Sequence, residues 1–133
     1  MTVIDEGLIA YLKTVAGVTS LVSTRIYGMV IPQGATLPCV VVTRISTPRT
    51  LTMDTSGATG DLINPRFQFD AWATTHASAK AITDALRAAL NGKRGSVGGV
   101  TTRSTKANEE ATTWEPEAEL YRGRSEFIVW LQE

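Results

Sequence analysis

RFQFDAWATTHASAKAITDALRAALNG, residues 66–92, contains two different hydrophobic periodicities in succession. In residues 66–73 small or aromatic apolar side chains alternate with a mostly polar set, which is typical of a β-strand with one buried face. From residue 75 to 91 apolar side chains recur at helical spacing, Thr74 or Thr75 can cap the start, and Gly92 ends the run. Many of the helical residues are small and allow close approach to a sheet. The stretch therefore predicts a strand followed by a helix that packs on the sheet.

Two helical segments and a strand are predicted upstream of this unit. Residues 3–16 carry apolar side chains at helical spacing. Residues 18–28 offer one or two further turns, with these side chains expected to face inward: Val18, Leu21 and Val22. Residues 39–46, CVVVTRIS, are rich in β-branched residues, which predicts a strand buried on both faces at its start.

Three strand-like stretches close the chain. Residues 96–104 and 107–115 are predicted to form a hairpin that turns near Lys106–Asn108, and residues 120–132 form the last strand. In this reading the alternating acids Glu115, Glu117 and Glu119 share one exposed strand face. The order of elements predicts an α+β fold in a single domain spanning 1–133: a mainly antiparallel sheet of about 4–5 strands with two or three helices packed on one face.

Residues 47–64, TPRTLTMDTSGATGDLIN, interrupt this pattern because they contain little that would pack in a core. Loops longer than about 12–15 residues are uncommon in compact domains and are usually functional or disordered. We expect either a long projecting loop or a hairpin arm with Ser56–Gly57 at its tip.

The composition argues against several classes of protein. Thirteen basic and thirteen acidic residues leave no net charge, whereas a dedicated nucleic-acid-binding domain is normally basic. No apolar run approaches the roughly 20 residues that span a bilayer, and acids at positions 5 and 6 argue against a secretion signal. The single cysteine, Cys39, excludes an internal disulfide and any cysteine-based zinc site. Synthesis in a reducing cytoplasm and no association with a membrane are expected.

No catalytic or cofactor-binding pattern is found. His76 is the only histidine and is expected to be a solvated imidazole, while Cys39 leads an apolar run and is expected to be a core residue. The glycine-rich residues 91–99 fail the spacing of a phosphate-binding loop, since Arg87 stands where that loop needs glycine. The acids show no ligand spacing typical of a metal site. The sequence therefore predicts a protein that is not an enzyme and holds no metal or cofactor.

Charged residues are distributed in two adjacent blocks, basic over 93–106 and acidic over 109–119. Such blocks suit a head-to-tail contact between subunits, although two solvated loop faces explain them equally well. The candidate subunit-contact residues are Arg94, Arg103, Lys106, Glu109, Glu110, Glu115 and Glu117. Tryptophans at 72, 114 and 130 on alternating strands favour contact surfaces, because tryptophan is enriched at interfaces.

The order of these pieces resembles the tail-completion or tail-terminator proteins of long-tailed, siphovirus-like bacteriophages. The resemblance covers residues 5–132 and is carried by Arg25-Ile26-Tyr27, the PQGATLP hinge before the first strand, and the FQFDAWA strand that leads into an alanine-rich helix. It implies a structural virion protein without catalytic residues, assembled as a hexameric ring at the head-proximal end of the tail tube. There such a ring stops tube growth and joins tail to head.

The resemblance also implies partners for the chain. These are further copies of itself, the major tail tube protein, a head-completion protein, and DNA that passes through the channel without sequence-specific binding. The 47–64 segment is the candidate tube contact, with these residues within it: Arg49, Met53, Asp54 and Asp61. An adaptor that closes the head or associates with the connector is the alternative within the same junction. A small hydrolase or nucleotide-binding enzyme and an accessory DNA-binding protein are the alternatives from other classes.

Overall fold

The structure, a computed structural model, describes residues 4–30, 32–34, 36–47, 49–50, 62–97, 100–102 and 104–132. Three helices and nine strands lie within these residues. The helices are α1 (Ile4–Leu12), α2 (Ala16–Val22) and α3 (His76–Leu90). The strands are β1 (Ile26–Gly28), β2 (Cys39–Ser46), β3 (Arg49–Thr50), β4 (Leu62–Ile63), β5 (Arg66–Ala73), β6 (Gly95–Val97), β7 (Val100–Thr102), β8 (Ser104–Glu115) and β9 (Leu120–Gln132).

The main sheet runs in the order β1–β2–β5–β9–β8. β1 is parallel to β2 and every other pairing in it is antiparallel, which confirms the predicted α+β fold. β4 and β5 act as one strand interrupted by Asn64 and Pro65, because both pair with β9 in the same register. The Val129 N–H donates to the Pro65 carbonyl at 3.0 Å and keeps the two pieces in line.

The two ends of the long segment between β2 and β5 are paired with each other. Arg49 lies opposite Ile63 and Thr50 lies opposite Leu62, so β3 and β4 continue the β2–β5 ladder. Residues 51–61, where the projecting loop or hairpin tip is predicted, lie outside the described residues. That detail stays a prediction.

The core lies between one face of the sheet and the helices. Phe67 and Phe69 of β5 and Phe127 of β9 are almost fully buried, and the Phe69 and Phe127 rings meet edge to face with centroids 5.3 Å apart. α3 contributes the buried stripe Ala79, Ile82, Leu86 and Leu90, and Thr75 caps its start by accepting a hydrogen bond from the Ser78 N–H at 3.1 Å. The helix crosses β9 at Gly123, where the two backbones lie so close that a Cβ would collide with Thr83 and the Ala79 carbonyl.

The predicted turn near Lys106–Asn108 is wrong. β8 continues through these residues to Glu115, and the irregularity there is a bulge between Ala107 and Glu109. Residues 116–119 form the turn into β9, because Pro116 has no N–H to donate to a ladder. Glu117 and Glu119 therefore lie in a turn and do not share a strand face with Glu115.

Leu21 also differs from its prediction. Its side chain is exposed, whereas Val18 and Val22 are buried. In a helix of seven residues these two valines, four apart, form the buried stripe, and Leu21 lies at its margin.

Candidate assembly surfaces

Among the described residues no cluster of His, Cys, Asp and Glu has a geometry that could hold a metal ion, and no helix has both the length and the apolar surface to span a bilayer. Cys39 is fully buried, and burial raises the pKa of its thiol, so it remains a protonated core side chain. His76 is exposed and packs edge-on against Tyr121, with ring centroids 5.8 Å apart.

The sheet face opposite the helices carries charged side chains that pair with one another. Arg66 contacts Glu126 at 2.6 Å, and Arg124 contacts Glu109 at 3.1 Å. Cross-strand register produces these pairs, since residues directly opposite or diagonal on one face come within reach. The charges of this face are therefore largely neutralised within the chain.

Arg122 bridges two acids on this face. Its Nε lies 3.7 Å from Asp70 and 3.5 Å from Glu115, distances that suit an ion pair and exceed a good hydrogen bond. Its guanidinium lies over the Trp72 ring at 5.8 Å. Asp70 itself is only 8 % exposed and accepts hydrogen bonds of 3.0 and 3.1 Å from the Gln68 amide.

Burial raises the pKa of Asp70, and the Gln68 hydrogen bond and the charges of Arg122 and Arg124 only partly offset it, while Glu115 adds to the rise. A carboxyl whose pKa is higher in the folded than in the unfolded chain binds more protons when folded, so its contribution to stability falls as pH rises. We expect the free energy of unfolding of the wild type, minus that of Asp70→Asn, to increase as pH is lowered from 7 through the range in which an ordinary aspartate titrates. Urea unfolding of both proteins at several pH values measures it.

Asp84 supplies the control for this experiment. The Lys80 hydrogen bond, with the charges of Lys80 and Arg87, lowers the pKa of this exposed carboxyl. The stability of the wild type relative to Asp84→Asn is therefore expected to decrease as pH is lowered through the same range. Equal slopes for the two variants would contradict the assignment of the Asp70 shift to burial.

A groove runs between α3 and the edge strand β8 on the helix side of the sheet. We call it the α3–β8 groove; its walls are Lys80, Thr83 and Arg87 from α3 and Ala107, Glu110 and Thr112 from β8. Two adjoining cavities of about 340 and 210 Å³ lie along it and share Glu110. Beyond one end, Trp114 is 49 % exposed and packs on Tyr121 with ring centroids 4.8 Å apart.

The charges on the walls of the groove are paired with each other. Glu110 contacts Arg87 at 2.5 Å and Lys80 at 3.8 Å, and Asp84 contacts Lys80 at 3.0 Å. The floor contains Ser125, which is 2 % exposed and whose Oγ has no hydrogen-bond partner within the described residues. The groove thus presents a small, largely neutralised recess beside β8, whose outer edge is partly covered: the Gly92 N–H donates to the Thr105 carbonyl at 2.7 Å, and the Ala107 N–H donates to Asn91 Oδ1 at 3.0 Å.

The residues predicted to make contacts are dispersed. Glu109, Glu110 and Glu115 all lie on β8, in ion pairs with Arg124, with Arg87 and Lys80, and with Arg122, respectively. Three others are exposed: Arg94, Lys106 and Glu117. Arg49 belongs to β3 by its backbone, while Met53, Asp54, Asp61 and Arg103 lie outside the described residues.

Sequence reasoning missed the most exposed apolar pair among the described residues. Met29 and Val30 directly follow β1, and their exposed fractions are 68 % and 72 %. An apolar pair between Gly28 and Pro32 was a visible signal, but a hinge explains the same composition. Of the three tryptophans expected on contact surfaces, Trp114 is exposed and Trp72 and Trp130 are half-buried.

Comparison with solved structures finds the same architecture in an assembled particle. A chain in the structure described as "Virion of native gene transfer agent (GTA) particle" matches with a TM-score of 0.69 at 19 % sequence identity, covering 99 % of this chain and 100 % of that one. Among curated proteins no relative matches significantly. The family model for the tail completion protein gp17 matches residues 6–132. The chain therefore belongs to the tail completion protein gp17 family and is a structural protein of the bacteriophage virion tail.

Proposed function

We propose that the chain assembles into a hexameric ring at the head-proximal end of the tail tube, where it ends tube growth and joins the tail to the head. The observation that carries the proposal is the family match over residues 6–132, nearly the whole chain. The structurally similar chain of the gene transfer agent virion belongs to an assembled particle, which supports an assembled role for this fold.

The two edges of the main sheet support a ring over a symmetric dimer. One edge is β1, a parallel strand of three residues, and the other is β8, an antiparallel strand of twelve residues. Unlike edges suit a contact in which one copy presents one edge and its neighbour presents the other. Such head-to-tail contacts form closed rings when the rotation between copies closes.

The mechanism is steric and requires no catalysis. One face of the ring matches the end of the tube and the opposite face offers no site for a further tube subunit, so a single ring stops growth. We propose that the tube contact uses Arg49, Met53, Asp54 and Asp61, and that the opposite face binds a head-completion protein. Zero net charge allows DNA to slide through the channel without strong attraction.

Contacts between subunits are proposed for the two charged segments. Glu109, Glu110 and Glu115 already form ion pairs within the chain. A neighbouring copy that contacts these side chains must therefore either replace their present partners or share them. Arg94, Lys106 and Glu117 are exposed and can reach a neighbour without breaking those pairs. Arg103 completes the proposed set.

Electron microscopy of tail tubes tests the proposal. Purified tubes are mixed with the chain and then supplied with fresh tube protein. We expect sixfold rings at one end of each tube and no further growth from that end, because the ring occupies the site of the next tube subunit. Tubes that receive no chain are the control and are expected to lengthen.

Other outcomes are equally informative. Rings that bind heads but never tubes would contradict tube termination and favour the head-closure adaptor. Continued growth of tubes that carry the ring would contradict termination while retaining tube binding. The absence of rings, both alone and on tubes, would contradict both roles.

A further inference from the structure

The apolar pair that follows β1 is held away from the protein by an unusual backbone turn. Met29 has φ +67°, and the N–H of Val30 donates to the Gly28 carbonyl at 2.7 Å, which closes a three-residue turn around Met29. Turns of this kind are rare and strained for residues other than glycine. The N–H of Met29 donates to the Val42 carbonyl at 2.8 Å and anchors the turn to the sheet. A strained turn that exposes two large apolar side chains indicates a surface built for a partner.

The α3–β8 groove can accept an uncharged turn, because its charged walls are paired with each other. Residues 29–38 contain no charged side chain, and the charges on the groove walls are already paired with each other. An uncharged apolar occupant can therefore cover the groove without leaving a buried charge unpaired. Ala107 supplies an apolar wall, and the thioether of methionine adapts readily to irregular recesses.

The turn and the groove lie on opposite edges of the sheet at the same level along the strands. Gly28 pairs with Val42, which pairs with Phe69, which pairs with Ser125, which pairs with Glu110. This row places the end of β1 level with the middle of the groove. Four strand spacings of about 4.8 Å separate the two edges, so the turn of one copy cannot reach its own groove.

We infer that the Met29–Val30 turn of one copy inserts into the α3–β8 groove of the next copy. The sheet twists from β1 to β8, so the level is measured along its central strands β5 and β9. In a ring whose axis runs along these two strands, rotation from one copy to the next preserves the level of the row and brings the end of β1 in one copy to β8 of its neighbour. The inference rests on the proposed ring and specifies the contact that closes it. Each copy contributes one turn and one groove, as a head-to-tail contact requires.

Variants on each side of the contact test it separately. Met29→Asn with Val30→Ser removes the apolar turn while leaving a residue that tolerates positive φ, so the fold is preserved. Thr112→Tyr fills the groove from β8. The matched controls are Leu21→Gln, another exposed apolar residue made polar, and Thr113→Tyr, the neighbouring residue on the opposite face of the sheet. We expect at least a tenfold loss of ring formation in both test variants and no change in either control, measured by native mass spectrometry and electron microscopy on tubes.

Mixing the two test variants supplies the decisive readout. The turn-deficient copy retains its groove and the groove-filled copy retains its turn, so an equimolar mixture is expected to form a one-to-one heterodimer and nothing larger. Wild-type levels of rings from the turn-deficient variant, or no heterodimer in the mixture, would overturn this contact and leave the proposed function standing. A wild type that forms no ring, alone or on tubes, would overturn the proposed function and this contact together.

Discussion

Replacing Gly123 with alanine is expected to lower the free energy of unfolding by about 3 kcal/mol, through overpacking of the helix–sheet interface. A Cβ at this position would lie 3.0 Å from the Ala79 carbonyl oxygen and would overlap the Thr83 Oγ1. Thr83 is 2 % exposed, and its hydroxyl donates to the same Ala79 carbonyl at 3.0 Å, so it cannot turn away freely. α3 must therefore move off β9. Urea unfolding followed by circular dichroism measures the loss.

Gly17 provides the matched control, because nothing lies within 4 Å of a Cβ built there. It lies inside α2, where alanine is favoured over glycine by up to about 1 kcal/mol, so Gly17→Ala is expected to stabilise the protein. Thr83→Ala should recover part of the loss in Gly123→Ala, since it removes one of the two close contacts and leaves the carbonyl. Equal effects of the two glycine substitutions would contradict the close approach of α3 to β9.

The elements that the sequence predicts well are those whose patterns are local. Cys39–Ser46 and Arg66–Ala73 match the predicted strands at both ends, and α3 begins and ends within a residue of its prediction. Their alternation or helical spacing is set by which face of each element is buried. The hairpin predicted between residues 96–104 and 107–115 is wrong, because Lys106–Asn108 has the composition of a turn but lies inside β8. The long pairing with β9 outweighs that local preference and absorbs the irregularity as a bulge.

The assembly surfaces could be predicted only in part. The charged blocks are visible in the sequence, but their partners are set by strand register. Arg124 meets Glu109, fifteen residues away, and Arg66 meets Glu126, sixty residues away. The sequence contains no local signal for such pairs. The exposure of Met29 likewise follows from the backbone turn around it and from the end of β1, neither of which composition reveals.

Phe127→Ala is expected to have the largest effect on stability, a loss of about 3–5 kcal/mol. The side chain is 1 % exposed, lies opposite Phe67 on β5 and opposite Ala107 on β8, and meets the Phe69 ring edge to face. Its removal opens a cavity that three strands and α3 cannot close together, because the strands are fixed by their ladders. A domain of this size is typically stable by about 5–15 kcal/mol, so the variant retains little margin.

Two comparisons separate this cavity effect from a general loss of aromatic area. Phe127→Leu keeps most of the volume and is expected to lose about 1.5 kcal/mol or less, whereas Trp114→Ala truncates a larger ring that is half exposed at the end of the same sheet. Chemical unfolding of all three variants should give Phe127→Ala a much lower free energy of unfolding than Phe127→Leu or Trp114→Ala. A Phe127→Ala value close to that of Trp114→Ala would show that the interior can collapse around the lost ring. In that case the paired strands β5, β9 and β8 could move inward together, contrary to the expectation that their ladders hold them in place.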